Sequence, residues 1–136
     1  MKRKLFEINK RFETQEAQAI RVEISNIFDV DANFHEIRLK TSAYSMARMV
    51  YMVMLRNYIG GSLKEIGHHC GRRDHSTVLH ALHTIERDRS FDKKLALKLE
   101  KLEQFSEAIV SGFYSAAGMM AVAFAKKSGN EVEGWL

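Results

Sequence analysis

The twenty residues SLKEIGHHCGRRDHSTVLHA, Ser62 to Ala81, restrict the fold more than any other stretch of this chain. Ser62-Leu63-Lys64-Glu65 has the spacing of a capping box, in which the Ser62 hydroxyl accepts the backbone N–H of Glu65 and the Glu65 carboxylate reaches back to the N–H of Ser62. The box predicts a short helix that packs Leu63 and Ile66 and ends at Gly71. A second helix follows at once, with Asp74 suited to its N-cap and Val78, Leu79, Leu82 and Ile85 as its buried face. Two short helices joined by a glycine-containing turn have the geometry of a helix-turn-helix. A plain helical hairpin would account for the apolar positions but not for six hydrogen-bonding side chains in a row, Arg72 to Thr77.

Elsewhere the chain reads as all-α. It has no proline in 136 residues, no period-two alternation and no low-complexity linker. Ala17, Ile20, Ile24, Ile27 and Phe28 share one face of a predicted helix over 14–28. Thr41 or Ser42 can cap a helix reaching Tyr58, with Met46, Met49, Val50, Val53 and Met54 as its apolar side and Gly60-Gly61 as its stop. Phe91, Leu95, Leu99, Leu102, Phe105, Ile109 and Phe113 then recur at spacings of three and four, which predicts a long C-terminal helix. This divides the chain into a basic arm (1–13), a helix-turn-helix domain (14–103) and an apolar helical extension with a mobile end (104–136).

Net charge is +4, concentrated in two zones: residues 1–12 carry Lys2, Arg3, Lys4, Lys10 and Arg11 against Glu7, and residues 36–58 carry Arg38, Lys40, Arg48 and Arg56 against Glu36. Such zones suit phosphate, although a solvated arm has the same composition. The single Cys70 excludes an internal disulfide, and the N-terminus lacks the apolar run of a signal peptide, so a cytoplasmic protein is expected. His68, His69, Cys70, His75, His80 and His83 lie close together, but without Cys-x-x-Cys or His-Glu-x-x-His spacing they predict no metal site. His68 and His69 read as surface side chains whose charge would strengthen phosphate binding in mild acid. Cys70 reads as a small buried hydrophobe, and neither an enzyme nor a cofactor is expected.

The polar run has a direct chemical reading. In a helix-turn-helix the second helix enters the major groove N-terminus first, so its first turn must offer donors and acceptors to base edges while later turns hold it to the core. Arg73 can pair with guanine, Asp74 can accept from cytosine N4, His75 and Ser76 can bond a base or phosphate, and the Thr77 methyl can meet a thymine methyl.

From about Ile20 to Leu102 the sequence resembles the C-terminal DNA-binding domain of the bacterial replication initiator DnaA, and Ser62 to Ala81 looks like that family's signature. The resemblance implies a Trp-repressor-like helix-turn-helix in which Arg73, Asp74, His75, Ser76 and Thr77 read an asymmetric box in double-stranded DNA. It places Lys40 in the family's basic, minor-groove loop and matches Arg48 to the arginine early in the family's long helix. The chain also departs from the pattern. Ala47-Arg48-Met49-Val50-Tyr51 stands where Ala-Arg-Pro-Arg is usual, the loop Lys40 to Ser45 has lost arginines, and Arg72 replaces a usual glycine. These changes predict a retained major-groove reader with a weaker phosphate grip. No G-x-x-x-x-G-K-[ST] run is present, so no ATPase activity is expected of these residues. The expected function is sequence-specific DNA binding at DnaA-box-like sites, as a nucleoid-associated regulator of replication or transcription. The alternative is a protein-interaction adaptor on the same fold whose DNA contacts have decayed.

Ala108 to Ala125 carries no charge, and a helix apolar all round must be buried. Its own core, a second copy in a homodimer, a partner protein and a membrane compete for it. Gly112 and Ala116 favour close helix packing, whereas Ser111, Gly112, Ser115 and Gly118 argue against membrane insertion.

Overall fold

The computed structural model describes residues 10–112, and among these every regular element is helical. Helix α1 (Gln15–Phe28) starts where the Thr14 hydroxyl accepts the N–H of Ala17 at 3.3 Å. It buries Ala17, Ile20 and Ile24 and packs Ile27 and Phe28 at the margin of the same core, as the spacing predicts. Upstream, Phe12 is buried and Arg11 reaches the Glu65 carboxylate at 3.2 Å, so the end of the basic arm is fastened to the domain.

Helix α2 (Ser42–Met54) runs into a π-helical turn (Leu55–Ile59) that stops at Gly60, whose φ of 96° is in the region glycine alone adopts freely. The expected stripe is only part of what it buries. Ala47, Val50, Tyr51, Met52, Met54 and Leu55 are all closed off, while Met46, Met49 and Val53 are partly buried. A one-sided stripe would suit a surface helix. Here α1 lies on one side and the helices that follow cover others, so α2 is the central post of the domain.

Helix α3 (Leu63–His69) carries both halves of the predicted capping box, each bond at 3.1 Å. Helix α4 (His75–Arg89) lies against α2 and α3. Its buried positions are Val78, Ala81, Thr84 and Ile85, with Leu82 half-buried. Leu79 corrects the sequence expectation, being 41% exposed. One residue turns a helix by about 100°, so a face centred on Val78, Ala81 and Ile85 leaves Leu79 outside it.

Helix α5 (Lys93–Val110) begins at Asp92, whose carboxylate accepts the N–H of Leu95 at 3.1 Å. Leu95, Leu99, Leu102 and Ile109 face α1 and α2. Phe91, expected to head this stripe, instead precedes the cap and is 71% exposed. The expected boundary at 103/104 falls inside α5. No helix among the described residues is long and apolar enough to cross a membrane. The expectations for residues 1–9 and for 113–136, including most of the uncharged stretch, lie outside the described residues.

Candidate nucleic-acid interface

The turn between α3 and α4 is compressed by two successive residues of positive φ, Gly71 at 79° and Arg72 at 58°. This folds the chain back so that the N–H of Arg73 reaches the carbonyl of Gly67 at 2.7 Å. A β-carbon on Gly67 would lie 2.3 Å from the Arg73 carbonyl oxygen, so the two helices meet this closely only because residue 67 has no side chain. Arg72 stands in the left-handed conformation that a glycine would adopt without strain.

Past the turn, Asp74 occupies the N-cap position with extended backbone, but its side chain does not cap the helix. One carboxylate oxygen accepts the Ser76 hydroxyl and the other meets His75 Nδ1, both at 2.8 Å. The Ser76 bond, followed by those from His75, holds the Asp74 carboxyl below its ordinary range. Fixing Nδ1 in this way orients the ring and directs Nε2 away from Asp74. Asp74, His75, Ser76 and Thr77 are all exposed, while Val78 one position later is fully buried. The first turn of α4 is thus a polar, solvent-facing edge on a helix anchored by its later turns.

Two of the arginines singled out by sequence face inward instead. Arg48 is 6% exposed and donates to the carbonyls of Ile37 at 2.8 Å and Leu39 at 2.6 Å. Half-buried Arg73 donates to the carbonyls of Cys70 and of His35, the latter at 3.3 Å. Exposed Arg38 completes the set with a 2.9 Å bond to the carbonyl of Gly71. Burial lowers the pKa of Arg48, helped by the charge of Arg73, and burial with the charge of Arg38 lowers that of Arg73. Arg73 and Arg38 fasten the loop that carries Lys40 to the helix-turn-helix, and Arg48 fastens the same loop to α2. Lys40 and Arg72 remain exposed.

His69 also corrects its expectation. Its ring stacks on Phe12 with centroids 4.8 Å apart, Nε2 lies 2.8 Å from the Tyr51 hydroxyl, and the buried His35 ring approaches to 4.8 Å. Burial, then the charge of Arg21, lowers His69 to about 4 and His35 to about 3. Both are neutral near pH 7, so the 3.5 Å approach of His35 to Glu36 is not an ion pair, and His69 is no acid-strengthened phosphate contact. His35 carried no sequence signal, because its distant ring partners, Tyr51 and His69, come from α2 and α3. Cys70 is wholly buried, with its thiol pushed up to about 12 by desolvation. Among the described residues no three His, Cys, Asp or Glu side chains converge as metal ligands.

A short helix locked to a longer one at a left-handed turn, the second presenting a polar first turn, defines a helix-turn-helix protein. Residues 17–85 match the family described as bacterial DnaA protein helix-turn-helix, and the chain belongs to that family. It is 32% identical over 87 residues to the chromosomal replication initiator protein DnaA of Chlorobaculum tepidum, covering 64% of this chain and 18% of that protein. The corresponding protein of Methylacidiphilum infernorum is 33% identical over 87 residues, covering 64% and 19%. That of Streptococcus pyogenes is 31% identical over 86 residues, covering 63% and 19%. The chain spans about a fifth of the length of these curated relatives.

Proposed function

We propose that the chain binds double-stranded DNA sequence-specifically through α4, at sites resembling the boxes of DnaA, and regulates replication or transcription at the nucleoid without ATPase activity of its own. The observation that carries this reading is the exposed edge Asp74 to Thr77 on a helix whose next residue is fully buried. A helix fixed from behind can hold hydrogen-bonding groups at the fixed spacing of base edges.

Within this reading the residues divide by role. His75, Ser76, Thr77 and Asp74 face base edges, with the Asp74 carboxylate holding the His75 ring at 2.8 Å so that Nε2 can meet a base. Arg72 and Lys40 supply exposed charge for phosphate or the minor groove, and the basic arm over 1–13 adds attraction independent of sequence. Arg73 acts chiefly by holding the loop that carries Lys40 against the helix-turn-helix, and Arg48 by holding it against α2, since their guanidiniums already bond backbone carbonyls.

Fluorescence anisotropy with a DnaA-box duplex and a scrambled duplex tests the proposal. His75 is the residue to truncate, because its side chain is 64% exposed and its loss leaves the core intact. Wild type is expected to prefer the box, and His75→Ala to lose about 1–3 kcal/mol of that preference while keeping salt-dependent binding to both duplexes. Equal wild-type affinity for the two duplexes would overturn sequence reading. No binding to either would favour the adaptor.

A further inference from the structure

A cleft of about 640 Å³ opens between the first half of α1, the loop that follows it and the C-terminal end of α3. None of Asp74 to Thr77 lines it, so it is distinct from the reading edge. Its volume is within the roughly 300–1,000 Å³ usual for small-ligand sites. Its walls are polar. Arg21 comes from α1, Arg38 from the loop and Arg72 from the helix-turn-helix turn, and His35, His68 and His69 line it as well.

These three guanidiniums make no ion pair with any described residue. Arg38 donates to the carbonyl of Gly71, and Arg21 has only a 3.5 Å approach from Nη1 to the Tyr51 hydroxyl. Arg21 Nε is buried with no acceptor, and Nδ1 of the 4% exposed His35 is also buried without a partner. The Arg21 Nε–H without an acceptor destabilises the folded state, and an oxygen ligand would relieve that. Glu13 and Glu36 line the cleft as well; like Arg38 and Arg72 they are exposed, so water screens both signs alike, and three guanidiniums outnumber two carboxylates.

We propose that this cleft binds a phosphate-bearing anion. Guanidinium forks match the oxygens of phosphate in pairs, and three of them from separate segments suit a ligand carrying more than one negative charge. The side-chain amides of Gln18, which also donates to the Glu13 carbonyl at 2.8 Å, and Asn33 line the same cleft. The phosphate belongs either to a free small anion or to the backbone of a duplex gripped by α4, since Arg72 borders both the cleft and that helix. Only the second source rests on the DNA-binding reading above.

Nuclear magnetic resonance of the full chain separates these cases by following the imidazole signals of His35, His68 and His69 while either pyrophosphate or a short DNA duplex is added. Arg21→Gln and Arg72→Gln each remove one guanidinium, and a backbone amide spectrum of each variant verifies its fold. Saturable pyrophosphate binding at one per chain that moves these signals, weakened about tenfold or more in both variants, supports a free anion. Movement with the duplex alone, abolished by Arg21→Gln, supports a backbone phosphate. Signals that move with neither ligand, or that move equally in wild type and variants, overturn the site. The pyrophosphate titration contains no DNA, so its result is independent of whether α4 reads sequence.

Discussion

At the scale of single residues, the polar run that looks uniform in sequence separates into distinct roles. Arg72 takes the strained place, at φ 58° in a turn that glycine would enter without penalty. Arg72→Gly should therefore stabilise the fold or leave it unchanged, by up to about 1 kcal/mol in urea unfolding, because relief of left-handed strain is partly offset by the added freedom of the unfolded chain. The same variant should bind DNA more weakly at every sequence, with a shallower salt dependence. A loss of stability instead would show that the Arg72 side chain, not only its backbone, holds the turn. The exposed members of the run were legible in the sequence, and the inward turn of Arg73 and Arg48 was not. Their acceptors are carbonyls of His35, Ile37, Leu39 and Cys70, and residue type says nothing about whether a loop carbonyl lacks a helical partner.

At the scale of elements, local chemistry was legible and helix phase less so. The capping box at Ser62 and the cap position at Asp74 are properties of a few adjacent residues, and both stand where the sequence put them. The phase of α4 was harder to read, because Val78 and Leu79 are adjacent apolar residues and either can belong to the buried face. Packing against α2 and α3 decides for Val78. The close approach of α3 to the turn is likewise a property of the pair, and it depends on Gly67. Gly67→Ala would place a methyl 2.3 Å from a backbone oxygen that no rotamer can move. The expected cost is about 1–3 kcal/mol or more, read as a lower urea midpoint with unchanged slope. Box preference should fall as well, since the substitution pushes α4 away from the helix that positions it. Wild-type stability in this variant would mean that the two helices sit farther apart than this geometry has them.

At the scale of the whole molecule, a cluster of rings is one of the joints between the helix-turn-helix and the rest: Phe12 before α1, Phe34 and His35 in the loop, Tyr51 on α2 and His69 on α3. Protonating either imidazole would place a charge where four segments meet. Desolvation, reinforced by Arg21, holds His35 at about 3 and His69 at about 4, against an ordinary value of 6.5. Below pH 6.5 the unfolded chain therefore binds more protons than the native one, and stability increases with pH. The contribution is complete above pH 6.5 and declines as pH falls, until each histidine also protonates in the folded state. Near pH 5 the loss is about 2 kcal/mol for each histidine. Urea unfolding at steps between pH 7 and pH 5 should show this decline, and His69→Gln, which keeps a polar group near the Tyr51 hydroxyl, should flatten it by roughly half. Carboxylates titrating over the same range are common to both proteins, so the difference between the two profiles belongs to His69. Parallel profiles would mean that His69 takes up its proton in the native state as readily as in the unfolded chain, and the ring cluster would then not be a dry joint between the helix-turn-helix and the body of the domain.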